Sequence, residues 1–423
     1  MTINSDPPYN YAKSRKGDSV KVLRSSLPAA IAVAATAVTA LSGCGSGNET
    51  AGSSSGETIK VMTWASLASP KISLPQVKTA AEARVKAIND AGGIKGRRVE
   101  LIFCDTNYDP NVEAGCARQA QQEKVTAVVG AHTTFPGTFA VLERAKIPFV
   151  GSLGLTEQEM ASPVVYPLAG GVPGWYAGAV AQVKQAGAKT VGMIACSSPA
   201  CTYATKVIKD SVQRSGMKLI AEASVASGVP DPSAGVAQAI AGNPDGLVVA
   251  VPPNDIPKLV QAVHRAGYKG KISSSTSLFP AGTIEALGPD AEGILLTSQV
   301  RPLSQGDDPA VAQFDKEMDA IDPSMKKDEN AELVWGAYVL FQKVAERLDT
   351  VDSVSVSTTM SNLSQPVEIG ITGPYSTVGK TAPMANTPRL FNPTVFNTEI
   401  KNGTVIVTSD APIDPFAALT NDS

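Results

Sequence analysis

Only two histidines, His132 and His264, occur in the 423 residues. A histidine-rich metal centre is therefore excluded, and a Ser-His-Asp apparatus has two candidate bases. The hydrolase pattern G-x-S-x-G occurs at residues 52–56, inside a Gly/Ser-rich stretch. A nucleophile elbow needs a strand before it and a helix after it, and this stretch offers neither. His264 falls within an amphipathic helical pattern at 258–266, where a surface place is expected. His132 stands at a strand end beside Thr133 and Thr134. It is positioned to be a base for either hydroxyl, but a ligand-binding or capping role is the simpler use. No catalytic residue, metal or cofactor is assigned.

The five cysteines carry a different chemistry. Cys44 closes the run Leu41-Ser42-Gly43-Cys44, which looks like a bacterial lipobox, and its thiol is the expected lipid attachment point. Ahead of it are a basic segment (Lys13, Arg15, Lys16, Lys21, Arg24) and an apolar run at 27–40, too short for a membrane span. Residues 1–43 therefore read as a signal peptide, and 44–57 as a flexible tether. Four cysteines remain: Cys104, Cys116, Cys196 and Cys201. An even number outside the cytoplasm suggests disulfides. Of three pairings, Cys104–Cys116 with Cys196–Cys201 is favoured, because each partner is near in sequence.

Composition narrows the class. Lys plus Arg number 36 and Asp plus Glu 39, so the net charge of −3 excludes a basic nucleic-acid footprint. Aromatics make up 5 %, while Gly (36) and Pro (30) are plentiful, which fits an α/β protein with many tight turns.

The elements that must hold any site alternate. Strand patterns at 59–64, 98–103, 125–129 and 148–150 are separated by helical patterns at 76–91, 111–123 and 139–145. The rhythm restarts with helices at 175–186, 203–215, 233–241 and 256–266. Strands fall between them at 190–195, 217–223, 246–251, 271–273 and 293–298. Helices return at 310–321 and 330–348, and a late hairpin at 394–408 turns at Lys401-Asn402-Gly403. The expected fold is α/β: two doubly wound parallel-sheet lobes joined by three crossovers, with a cleft between them. Small and polar residues follow the strands at 130–134, 151–156, 196–199, 252–254 and 273–277. Such loops expose backbone N–H groups to a polar or anionic ligand.

The segment Ala87-Ile88-Asn89-Asp90-Ala91-Gly92-Gly93-Ile94-Lys95-Gly96-Arg97, followed by Cys104-Asp105 and Asp109-Pro110, resembles the leucine/isoleucine/valine-binding group of ABC-importer solute-binding proteins, with their type I periplasmic-binding fold. Further similar pieces are Val128-Val129-Gly130, Lys146-Ile147-Pro148, Asp231-Pro232-Ser233, Ala266-Gly267-Tyr268 and Gly370-Ile371-Thr372-Gly373-Pro374. The resemblance covers roughly 59–407. It implies crossovers near 168–173, 298–302 and 371–375. Lobe one is then 58–170 with 301–371, lobe two 171–300 with 372–410, and 411–423 is a tail. It also implies a ligand carboxylate held by Thr133, Thr134, Leu153 and Thr156, with Tyr203 reaching in from lobe two; beside these, Thr276 is a hydroxyl able to hydrogen-bond a ligand and Trp64 a candidate cleft aromatic.

One departure stands out. Amino-acid binders of this group place an acid in lobe two against the ligand ammonium, but residues 273–279 contain none. An ammonium buried without a counter-charge is costly, so an organic acid, amide or aromatic carboxylate is weighed beside an amino acid. The expectation is a lipid-anchored, extracytoplasmic, monomeric receptor that passes a small solute to an ABC permease. The alternatives are a ligand sensor for a membrane signalling partner and, less favoured, a hydrolase.

Overall fold

The computed structural model describes residues 56–379, 382–409 and 411–420. The expected signal peptide, the expected lipid attachment point Cys44 and the expected tether up to residue 55 lie outside the described residues. Among the described residues no helix is long and apolar enough to cross a membrane.

The first sheet holds β1 (Ile59–Ala65), β2 (Val99–Asp105), β3 (Ala127–Val129), β4 (Phe149–Ser152) and β5 (Val165–Pro167). All are parallel, in the order β2-β1-β3-β4-β5. Helices α1 (Pro75–Asp90), α2 (Pro110–Gln122), α3 (Phe139–Ala145) and α4 (Glu157–Ala161) connect them. β3 and β4 are buried along their whole length, as strands covered on both faces must be. The turn after α1 depends on Gly93, whose φ is +77°; a Cβ there would lie 2.1 Å from the Arg97 carbonyl oxygen.

The second sheet holds β6 (Thr190–Cys196), β7 (Lys218–Val225), β8 (Gly246–Ala250), β9 (Lys271–Ser275) and β10 (Leu295–Ser298). The hairpin β11 (Phe396–Lys401) and β12 (Thr404–Val407) adds antiparallel on β10, giving the order β12-β11-β10-β9-β8-β6-β7. Helices α5 (Gly171–Gln185), α6 (Pro199–Arg214), α7 (Ser233–Ala239), α8 (Ile256–Arg265) and α9 (Ala281–Leu287) belong to this half. The chain then returns through α10 (Pro309–Asp319), α11 (Glu329–Ala345) and α12 (Ser353–Ser361) to the first sheet. There the Thr63 and Tyr338 hydroxyls share a buried 2.7 Å hydrogen bond between β1 and α11. α11 lies so close to β4 that a Cβ on Gly151 would sit 2.2 Å from that of Ala337. A last helix, α13 (Pro415–Thr420), packs on α5, and Lys184 donates to the Leu419 carbonyl at 2.8 Å.

The chain passes between the halves after β5, after β10 and before β11. The third passage lies later than 371–375. Val367 and Tyr375 exchange both backbone hydrogen bonds, at 2.8 and 2.9 Å, and Arg389 Nε donates to the Val165 carbonyl at 2.7 Å. Residues 370–374 therefore form a turn that doubles back on the first half, anchored by the buried Tyr375 ring against Phe391. The crossing falls at 392–395, where Val395 joins Ile413.

Candidate ligand cleft

The carboxyl ends of the two sheets face one another, and a cavity lies between their loops. Its open space, measured by where water centres fit, is about 90 Å³. That is room for a few waters or a small solute. Tyr108, His132, Thr134 and Leu155 line it from the first half, and Trp175, Tyr176, Ser198 and Ser275 from the second.

Each wall has a local cause. Asn107 and Tyr108 both lie in the left-handed region, at φ +48° and +53°. For a bulky aromatic this is uncommon and costs energy, so the surroundings must hold it. The Asp105 carboxylate accepts from the Asn107 and Leu67 amides at 2.9 and 3.0 Å, and the Tyr108 ring packs edge-on against Phe135. The Tyr108 hydroxyl meets the Ser198 side chain across the cleft, and burial raises its pKa. The Tyr176 hydroxyl lies close to the Ser275 side chain. Disulfides Cys104–Cys116 and Cys196–Cys201 tie β2 to α2 and β6 to α6, and Cys201 lines the cavity. Burial lowers the His132 pKa to about 4, so this imidazole is neutral at physiological pH. His264 pairs with Asp290 at 2.9 Å, far from the cavity lining.

In the two loops expected to hold a ligand carboxylate, four backbone amides, of which Thr134 alone is among the expected positions, already carry carboxylates of this chain. Glu113 accepts from the Thr134 and Phe135 amides, both at 3.1 Å, and from the Thr138 hydroxyl at 2.9 Å. Glu159 accepts from the Gly154 and Leu155 amides, both at 2.7 Å. Both glutamates are buried, which raises each pKa to about 7.

Of the seven residues expected at the ligand, only Thr134 lines this cavity. Trp64 is fully buried and donates its indole N–H to Thr133 Oγ1 at 2.9 Å, so that both serve the first half's core. Leu153 is core, and Thr156 caps α4 by accepting from the Glu159 amide at 3.1 Å. Tyr203 is buried beside α4 rather than in the cavity, with its hydroxyl unpartnered. Thr276 lines a neighbouring groove.

That groove supplies acids that residues 273–279 lack. Asp328, Glu329 and Glu332, at the start of α11, line it and are buried. Glu329 Oε1 accepts from Trp175 Nε1 at 3.1 Å and from the Gln299 amide at 2.6 Å. Asn330 lines the cavity and donates to the Ser277 carbonyl at 3.2 Å. Tyr108, Trp175, Tyr176 and these acids are the groups that sequence reasoning did not select.

A family model described as "Periplasmic binding protein" matches residues 65–393. The fold is similar to a possible leucine/isoleucine/valine-binding protein from Rhodopirellula baltica SH 1, at TM-score 0.73 and 15 % identity, covering 85 % of this chain and 98 % of that one. It is also similar to the leucine-binding protein LivK of Thermotoga maritima MSB8 (TM-score 0.69, 19 % identity, 85 % and 99 % covered). A third similar structure is the substrate-binding protein LivJ of Streptococcus pneumoniae in complex with isoleucine (TM-score 0.68, 18 % identity, 84 % and 99 % covered). These likenesses establish the fold. A 59-residue segment is 44 % identical to a Leu/Ile/Val-binding protein homolog 3 of Brucella melitensis, spanning 14 % of this chain and 16 % of that relative.

Proposed function

The chain belongs to the periplasmic binding protein family, and on that premise we propose that it is the extracytoplasmic receptor of an ABC importer, binding a small solute between its lobes. The observation that carries this reading is the cavity of about 90 Å³ lined from both sheets. A ligand touching both halves favours the closed form by no more than its preference for closed over open. The lobes are taken as 58–170 with 301–391, and 171–300 with 392–420. Thr134 is proposed to contact the solute in the cavity, and Thr276 in the adjoining groove. Residues 1–43 act as the signal peptide and Cys44 as the lipid anchor that keeps a monomeric receptor near its permease. The protein binds and releases its solute without chemical conversion.

A thermal-shift screen of the purified protein against amino acids, amides, amines and organic acids tests this. A ligand of the native state at one hundred times its Kd stabilises by about 2.7 kcal/mol. At least one small solute is expected to raise Tm saturably. If none does, the receptor reading falls.

A further inference from the structure

Next to the cavity, and separated from it by Trp175 and Asn330, lies a more open groove of about 890 Å³. Five acids line it: Glu285, Glu292, Asp328, Glu329 and Glu332. The one cationic side chain among its described lining residues, Lys327, is already held by Asp315 at 3.0 Å and Asp319 at 2.9 Å. Glu285 pairs with Lys326, and Glu292 accepts from the Asn402 amide. The charge left without a partner is therefore concentrated at the start of α11.

Helix capping does not account for it. Asp328 is the N-cap and accepts from the Ala331 amide at 3.0 Å, and its other oxygen takes the Gln76 amide group at 2.7 Å. A capping-box glutamate would stand at 331, which is alanine. Glu332 lies one residue further on, is 1 % exposed, and has a buried Oε1 with no hydrogen-bond partner. Glu329 Oε2 is likewise unpartnered. Across the groove, at the end of β9, Thr276 is 9 % exposed and its Oγ1 also lacks a partner. A buried carboxylate with no counter-charge is strongly unfavourable, and this one has a second acid beside it.

We propose that this groove seats an organic ammonium group of the solute, with Glu332 and Glu329 as its counter-charges and Thr276 Oγ1 as an acceptor. Among the described residues no three His, Cys, Asp or Glu side chains converge as a metal-ligand set, which favours an extended organic cation over a bare ion. Phe279, Ile284, Leu303 and Val405 give the groove apolar walls for an alkyl stem. The amides of 134–135 and 154–155 are occupied by Glu113 and Glu159, so the solute is an amine without a carboxylate at those positions. This inference rests on the receptor reading above and narrows it to a charge class.

Four probes of one chain length test it by calorimetry on the purified protein: 1,5-diaminopentane, pentylamine, 1-pentanol and pentanoate. Both amines are expected to bind at least ten-fold more tightly than 1-pentanol, with pentanoate weakest. Glu332→Gln is expected to reduce amine affinity ten-fold or more while leaving 1-pentanol unchanged, and Thr276→Val to reduce it to a smaller degree. Because Glu329 also holds Trp175, Glu332→Gln is the primary variant; burial already favours the neutral form of Glu332 in the unliganded protein, so the isosteric neutral glutamine should fold. Pentanoate or 1-pentanol binding as tightly as the amines overturns the proposal, as does wild-type amine affinity in Glu332→Gln. If the amines fail while another solute of the wider screen binds, the charge class is wrong and the receptor stands. If no solute of any class binds, both fall.

Discussion

Trp175 donates its indole N–H to Glu329 across the junction of the two lobes, so one contact joins the wall of the cavity to the acid of the groove. Glu329 Oε1 also accepts from the Gln299 amide at 2.6 Å, which ties it to the second crossover. Burial is the main cause that raises the Glu329 pKa to about 8, and the neighbouring Asp328 adds to it.

Glu329→Gln should keep both accepted hydrogen bonds and remove the charge. A carboxyl whose folded pKa lies near 8 and unfolded pKa near 4.5 stabilises fully below 4.5 and loses that contribution as pH rises through 8. The glutamine variant has no such loss. Relative to wild type it should gain about 1.4 kcal/mol per pH unit across that window, and nothing below it. Urea unfolding at pH 4, 6 and 8 reads this directly. A difference that does not change with pH would show that Glu329 titrates normally.

His132 titrates in the opposite direction. Burial lowers its pKa to about 4 from an ordinary 6.5, so its contribution is present above 6.5 and is lost as pH falls through 4. The imidazole should stay neutral at pH 5.5 in the unliganded protein, as read from its ring nitrogen shifts by NMR. A midpoint near 6.5 would mean that water reaches the ring.

The Cys104–Cys116 disulfide fixes two parts of the cleft together: the β2 end that leads to Tyr108, and α2, which carries Glu113. Replacing both cysteines with serine should lower stability by about 3 kcal/mol, the chain entropy of a loop this short. It should also weaken solute binding, because Tyr108 is held in the left-handed region by its neighbours. Stability within 1 kcal/mol of wild type would mean that α2 is held without the disulfide.

Much of the scaffold is legible in the sequence, because buried parallel strands are apolar runs: Ile59–Ala65, Thr190–Cys196 and Gly246–Ala250 all stand where the pattern puts them. β5, α4, α9 and α12 are too short or too weakly periodic to register. The loops that line the cavity are legible as small, polar strand ends, but not which of their side chains turn inward. At a strand end successive side chains point to opposite sides. His132 and Thr134 line the cavity while Thr133 turns to Trp64. Past β9 the cause differs: Thr276–Leu278 is a single 3-10 turn, which leaves Ser275 and Ser277 on the cavity and turns Thr276 to the groove. The acids escaped because they come from α11, some fifty residues beyond β9, on a helix whose apolar sequence reads only as core.

This alternation makes the adjacent threonines a test of the site. Thr133 Oγ1 accepts the buried Trp64 indole N–H, so Thr133→Val leaves that donor unsatisfied at nearly constant volume. An unsatisfied buried donor costs about 1–3 kcal/mol. Thr134 presents its side chain to the cavity, and the Glu113 bond to this residue is made by its backbone amide, which valine keeps. Thr134→Val should therefore leave the unliganded protein near wild-type stability. It should cost any solute that uses the hydroxyl about 1 kcal/mol, roughly five-fold in affinity. Thr133→Val should do the reverse, with lower stability and affinity unchanged wherever the protein is folded. Urea unfolding and calorimetry with the best solute of the screen separate the two effects. If Thr133→Val loses affinity at full stability while Thr134→Val binds as wild type does, the loop faces the other way and the cavity is not where the solute sits.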